Sequence, residues 1–554
     1  MTELKWTLYL VFRLHSTDKT FAKYLNIGLS IEAFFMRKIM DDIMESRLIN
    51  ISIRSFYLLF AIIFSWLFLQ VLLENKSYSY PVLPVLGAIL LWCTGAALLF
   101  KIVIATEHTL KRHPISIALG LISIATLVQA YFAHQLELET AWDIEAVYKG
   151  AVTLAQQKKL AQYEQYFSVY PHNLGPATFL SWIYCAFPQE DIHGYYVLGA
   201  SFNILAINTT FFIVFLICRE LKNTKSAFFA LLLCLGCIPI YFYVPIFYSD
   251  TFSLPFGALI YYLYLMLLKS ERWQIRLLLA CAIGAACALG AIMKFTILIV
   301  TIAIFLELII RHKLKQLSLY LLLSVLIFQG LSSLYSKYLY NSVINKERVS
   351  QQRYPYSHWL MMGLAGDGAY NGDDDGFTRS FPTLEEKAAA NINVVKQRLK
   401  DYGVQGYLLF LNKKQQHNFG SGHYGIHYLI DDSPLRRGWL HEYATEDGQH
   451  FETFRAVTQG YHVFLFTLII LGALYDTSAR NTSATQQLVI RLSIFGIYLF
   501  LLLWEANARL VLHFMPMFIL AAALRYEEIY KLSGSIKHHI LLQLKSAEDR
   551  LAQD

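Results

Sequence analysis

Only 16% of the residues in this chain are charged, and the few that could do chemistry stand in short motifs. Asp143 and Glu145 lie in WDIEAVY, residues 142–148, and Asp250 lies in IFYSD just after Tyr248. A carboxylate that a cleft partly desolvates can act as a general base. Two such carboxylates, Asp143 and Asp250, could share an acceptor, a proton or a divalent cation such as magnesium or manganese. Taken singly, Asp143 also reads as an ordinary interfacial acid and Asp250 as the N-cap of the next helix. Lys294 in GAIMKFT and Arg509 in WEANARLVLHFMP are fixed cations able to hold a phosphate. The plainer readings are snorkelling for Lys294 and a pair one helical turn apart for Glu505 and Arg509. Tyr170-Pro171-His172-Asn173 opens an apolar run, where polar side chains and free amides suit an anion, or simply start a helix.

Other candidates are weaker. Asp373-Asp374-Asp375 lacks the terminal glutamate of a calcium loop and reads as a solvated acidic turn. His417, His423, His427 and His441 show no compact metal spacing and read as surface residues. Cys234 and Cys237 form a CxxC inside an apolar stretch, with no second pair, and read as packing residues. No Walker loop, GxGxxG or GxSxG is present.

The elements that must position these residues are membrane helices. Hydrophobic residues make up 56% of the chain and mean hydropathy is +0.41. The apolar residues fall in blocks of roughly twenty, the length that crosses a hydrocarbon core. The net charge of +7 is therefore no nucleic-acid footprint; the placement of Lys and Arg sets orientation. Twelve spans are predicted at about 55–74, 82–104, 115–133, 197–219, 226–247, 252–269, 276–292, 295–311, 316–336, 457–475, 487–505 and 510–525. The basic residues of 1–54, of the short turns and of 526–554 then share one side, the cytoplasm, and mark a plasma-membrane protein with both termini inside. Two long segments face outward: 134–196, with a short interfacial helix near 174–187, and 337–456. In the second, Thr383 and Glu386 fit a capping box whose helix Gly403 ends, and 404–414 reads as a surface-lying amphipathic piece. The expected fold is an all-α polytopic membrane protein with juxtamembrane helices and a mixed extracytoplasmic domain at 337–456.

The order of these motifs resembles the C-type integral membrane glycosyltransferases, in the branch of the protein O-mannosyltransferases and aminoarabinose transferases. Asp143 through Tyr148 is similar to the pattern that opens their first outer loop, and YPHNLGPATFLSWIY to their proline-led interfacial helix. IFYSDTFSLPF, HWLMMGL and the Glu505-to-Arg509 segment followed by Pro516 look like those of a Gram-positive group within it. The resemblance covers about 115–525 and leaves the two spans within 55–114 as an addition. The chain departs where Tyr170 replaces a lysine and where Leu510 follows Arg509 in place of tyrosine. The resemblance implies a sugar donor on a polyprenyl phosphate and an acceptor in the cell envelope: a glycan, teichoic acid, lipid or protein. It implies an inverting displacement, with Asp143 as base, Asp250 orienting the acceptor or a divalent ion, and Lys294 and Arg509 on the departing phosphate. Glu145, Tyr148, Tyr170, His172, Asn173, Tyr248 and Glu505 would line the substrate. A transporter or lipid flippase would instead place charges mid-span and repeat its halves. A non-catalytic scaffold would use the carboxylates structurally.

Overall fold

The computed structural model describes residues 49–72, 80–137, 142–430, 438–478 and 487–535. The chain divides into two compact units, Met1–Tyr57 and Leu58–Asp554. Of the first, the described residues are the opening turns of α1 (Ile49–Leu72). In chain order there follow α2 (Val82–Ala105), α3 (Pro114–Gln135), α4 (Trp142–Gln157), α5 (Leu174–Ala186), α6 (Ile192–Leu221), α7 (Thr224–Leu235), α8 (Ser249–Lys269), α9 (Trp273–Met293), α10 (Phe295–Ile310), α11 (Leu314–Val343), α12 (Leu384–Phe419), α13 (Phe451–Thr477), α14 (Leu488–Leu503) and α15 (Met515–Ala523). No strand occurs among the described residues.

Eight of these helices, α1–α3, α6, α8, α9, α11 and α13, are long and apolar enough to cross a membrane. Two of them show why a bilayer is required. The most apolar stretch of α2 is 17% buried and that of α11 is 6% buried, so both present hydrocarbon on nearly every side. In water such surfaces would aggregate; in lipid they are the solvated state. Each predicted span overlaps a helix, but 226–247, 295–311, 487–505 and 510–525 fall on the short helices α7, α10, α14 and α15. Gly236, with Pro239 close behind it, breaks the predicted fifth span, leaving α7 and a separate turn Ile238–Phe242. Interrupted backbone of this kind is tolerated at membrane depth only inside protein, and most of 237–254 is buried.

The apolar run of the first long loop becomes α5, thirteen residues packed into the bundle. A Cβ on Gly175 would sit 1.8 Å from the Ile292 carbonyl oxygen, so only glycine lets α5 reach the end of α9. Among its described residues the segment 337–456 holds helices joined by turns and coil, and no strand. The capping box of Thr383 and Glu386 is formed. Gly403, at φ +57° and ψ −174°, is not helical: it ends the first half of α12 as expected, and a second helix runs on from it to Phe419. The part after the kink turns inward near its end: Asn412 and Gln416 both donate to Gln70 Oε1 of α1, at 2.9 and 2.7 Å.

Two further expectations are corrected. Asp374 and Asp375 are buried, not solvated. Arg398 clasps Asp374 through both nitrogens at 2.7 and 2.8 Å, and Asp375 takes Arg379 Nε at 2.7 Å. His423, His427 and His441 are buried as well; His423 and His427 pack ring to ring at 4.8 Å under Phe451. Among the described residues no group of three or more His, Cys, Asp or Glu is placed to hold a metal.

Candidate functional site

Asp250 sits in the first turn of α8, 1% exposed. A bare carboxylate at such a place would be costly, and two cations answer it. Lys294, the residue between α9 and α10, donates to Oδ1. Arg509 places Nε 3.4 Å from Oδ2. Both alternatives for the cations fail geometrically. Lys294 points to a carboxylate rather than snorkelling. The chain from Glu505 to Asn507 is not helical, so Glu505 and Arg509 are not one turn apart. Asp250 is not an N-cap either, since Tyr248 precedes the turn. Asp143 and Glu505 also lie in the electrostatic reach of Arg509, so the two cations stand in a mixed cluster of acids and bases. Lys294 and Arg509 keep 13% and 19% of their side-chain surface, so an anion can still reach them. With both Asp250 oxygens facing fixed cations, the donor set does not fit a divalent ion there.

A chain of polar contacts leads from this cluster to Asp143. The Arg509 guanidinium lies over the Tyr248 ring, 5.2 Å from its centre. Tyr248 donates its hydroxyl to Asn173 Oδ1 at 2.7 Å. Asn173 donates to the Tyr166 hydroxyl at 2.5 Å, and Tyr166 donates to Asp143 Oδ1 at 2.5 Å. Each link has a local cause. Pro171 sets a single 3-10 turn, Pro171–Asn173, which turns Asn173 inward to 1% exposure at the start of α5. Asp143 is in the first turn of α4, where the helix dipole favours an anion. His172 lies in the electrostatic reach of both Asp143 and Lys294.

The remaining predicted residues divide. Tyr170 donates to Asp375 Oδ1 at 2.9 Å, tying the turn before α5 to the 337–456 segment. Glu145 pairs with Lys149 at 2.8 Å on the surface of α4, an ordinary helical ion pair. Tyr148 is buried, and its hydroxyl is bonded to the Ile192 carbonyl; both residues therefore serve the fold. Glu505 is half-buried just past α14, and burial pushes its carboxyl up to about 7. Nearby Lys414, fully buried and donating to the Gly363 carbonyl at 2.6 Å, is pushed down to about 8 by burial.

Three site residues escaped the sequence reading. Tyr166 joins Asn173 to Asp143 but carries no charge to signal it. Trp359 and Trp504 stack at 5.4 Å with planes 9° apart, and His172 meets the Trp359 ring edge-on at 5.6 Å. Their positions, in HWLMMGL and directly before Glu505, were the available clue.

These features define a polytopic helical membrane protein with a partly open cluster of paired charges at one end of its bundle. The chain matches, over residues 43–530, the family described as conserved hypothetical integral membrane protein, and it belongs to that family. No curated protein matches it.

Proposed function

We propose that this protein is a membrane glycosyltransferase that moves a sugar from a polyprenyl-phosphate donor to a cell-envelope acceptor. The observation that carries the reading is the pair of cations on Asp250, joined through Tyr248, Asn173 and Tyr166 to the Asp143 carboxylate. Lys294 and Arg509 suit a phosphate that gains charge as it leaves. Asp143 lies at the other end of this chain of contacts, with Oδ1 held by Tyr166. In this reading the acceptor hydroxyl gives its proton to Asp143 Oδ2 while its oxygen attacks the anomeric carbon. The bond from that carbon to the phosphate oxygen breaks with inversion, and the polyprenyl phosphate departs on Lys294 and Arg509. Asp250 is a positioning residue that holds the two cations together. The Trp359–Trp504 stack and His172 offer aromatic faces to a sugar.

The reading includes a twelve-span topology with the short helices α7, α10, α14 and α15 counted as crossings. It places both termini in the cytoplasm and the site on the outer face of the plasma membrane. A donor with a lipid tail needs no soluble nucleotide-binding domain, because it arrives through the bilayer. The test is transfer from labelled polyprenyl-phosphate sugars to envelope acceptors by the purified protein. Asp143→Asn is expected to lower transfer by about 10²–10⁴-fold, the usual worth of a general base, with melting temperature unchanged. No transfer by the wild type across donors and acceptors, together with unchanged cell-envelope glycans in an Asp143→Asn strain, would sink it.

A further inference from the structure

At the end of α8 away from Asp250 lies a cavity of about 260 Å³ between the ends of α6, α8 and α10 and the start of α14. Its walls are of two kinds. Leu221, Leu268 and Val489 are apolar. The polar part holds two acids, Glu220 and Glu307, and three cations, Lys269, Arg311 and Lys313. Both acids are already matched. Glu307, 2% exposed, accepts from the Tyr264 hydroxyl and from Arg311 Nη1, the latter at 2.6 Å. Glu220 takes Lys269 at 2.8 Å. Lys313 is left over: it has no carboxylate or hydrogen-bond partner for its ammonium group among the described residues.

The backbone fixes Lys313 in place. α10 ends with His312 at φ +52°, a left-handed conformation that glycine usually supplies. His312 N–H donates to the Ile309 carbonyl at 3.0 Å, and Lys313 N–H reaches back to the Leu308 carbonyl at 3.0 Å. These are the two bonds of a Schellman ending. A β-carbon in that conformation is strained, and the chain accepts it at His312 with Lys313 next in line on the cavity wall.

We infer that this cavity binds the phosphate of an acidic phospholipid, with Lys313 as its main contact and Arg311 and Lys269 beside it. The shared chemistry is a phosphate anion. The apolar walls, at the ends of helices of membrane-crossing length, favour a lipid over free phosphate, since a headgroup at that depth brings chain carbons to cover them. The inference does not rest on the transfer reading.

The test uses the full-length protein in detergent, with melting followed on addition of phosphatidylglycerol, phosphatidylcholine or inorganic phosphate. Phosphatidylglycerol is expected to raise the melting temperature by several degrees, with little change from the other two. Lys313→Gln with Lys269→Gln should remove most of that rise, whereas Lys315→Gln, on the same turn but outside the cavity wall, should keep it. Leu265→Trp, which fills the cavity from its wall and removes no charged group, should also abolish the rise. An equal rise with phosphatidylcholine overturns the proposal, as does an undiminished rise in both the double variant and Leu265→Trp. An equal rise with inorganic phosphate also overturns it, by making this a free-anion site.

Discussion

The bundle holds an aspartate between two cations at each end, and the two are built to opposite purposes. Asp250 has Lys294 and Arg509; Asp476, at the end of α13, has Arg491 Nη1 at 2.7 Å and Arg525 Nη2 at 2.6 Å. The central pairing is alike, but access differs. Arg491 and Asp476 have side chains with 0% exposure, and Arg525 has 6%. No ligand can enter there without unpacking α13, α14 and α15, so that cluster is a clamp joining three helices. At the Asp250 end the cations keep a solvent-facing edge, the surrounding helices are short or interrupted, and hydroxyls lead on to a second carboxylate. A charge cluster at a helix end is therefore a sign of function only when its cations remain reachable.

Breaking the sealed cluster should have the largest effect. Asp476→Asn removes the shared carboxylate from two buried guanidinium groups, of which Arg525 keeps Glu528 at 3.6 Å, and removing one partner of a buried pair costs about 3–5 kcal/mol. The expected outcome is a sharp drop in folded yield and melting temperature that added anions cannot repair. The open cluster should respond less. Asp250→Asn removes a charged bond worth about 1.5–3 kcal/mol, but Lys294 and Arg509 can turn to solvent. Phosphate or pyrophosphate should restore much of the lost melting temperature in this variant and none of it in Asp476→Asn. Equal rescue of both, or of neither, would erase the distinction between an open and a sealed site.

How far these clusters could be read from sequence depends on charge. Asp250, Lys294 and Arg509 stand out because an ionisable residue at the edge of an apolar run needs a reason. Their grouping follows once spans alternate in direction. Tyr166 could not be found that way: a tyrosine among many aromatics carries no periodic or electrostatic mark, and its role exists only through the fold of α4 against the turn before α5. His423, His427 and His441 and the acids at 374–375 were misread for a related reason. Polar residues in a long loop look solvated until the helices that bury them, here α12 and α13, are in place. Hydropathy likewise could not separate α7 or α15 from full spans, because it averages across Gly236, Pro239 and Pro516 without registering where the backbone turns.

The smallest effect, and the sharpest contrast between the ends, concerns two glutamates. Glu505, near the open cluster, is held up at about 7 by burial. Glu527, near the sealed one, is held down at about 2: burial opposes this, but Lys531, Asn223 and Lys225 outweigh it. An unfolded glutamate titrates near 4.5. Between about pH 4.5 and 7 folded Glu505 keeps a proton that the unfolded chain has lost, so stability should fall as pH rises through that window. Glu527 acts in the other sense: its contribution is present above about pH 4.5 and is lost as pH falls toward 2. Glu505→Gln should therefore flatten the melting curve across the first window and raise the melting temperature at about pH 8 more than at about pH 5. Glu527→Gln should lower it at about pH 8 and converge with the wild type in acid. If both variants shift in the same direction at about pH 8, burial rather than pairing governs both carboxyls, and the two ends of the bundle are electrostatically alike.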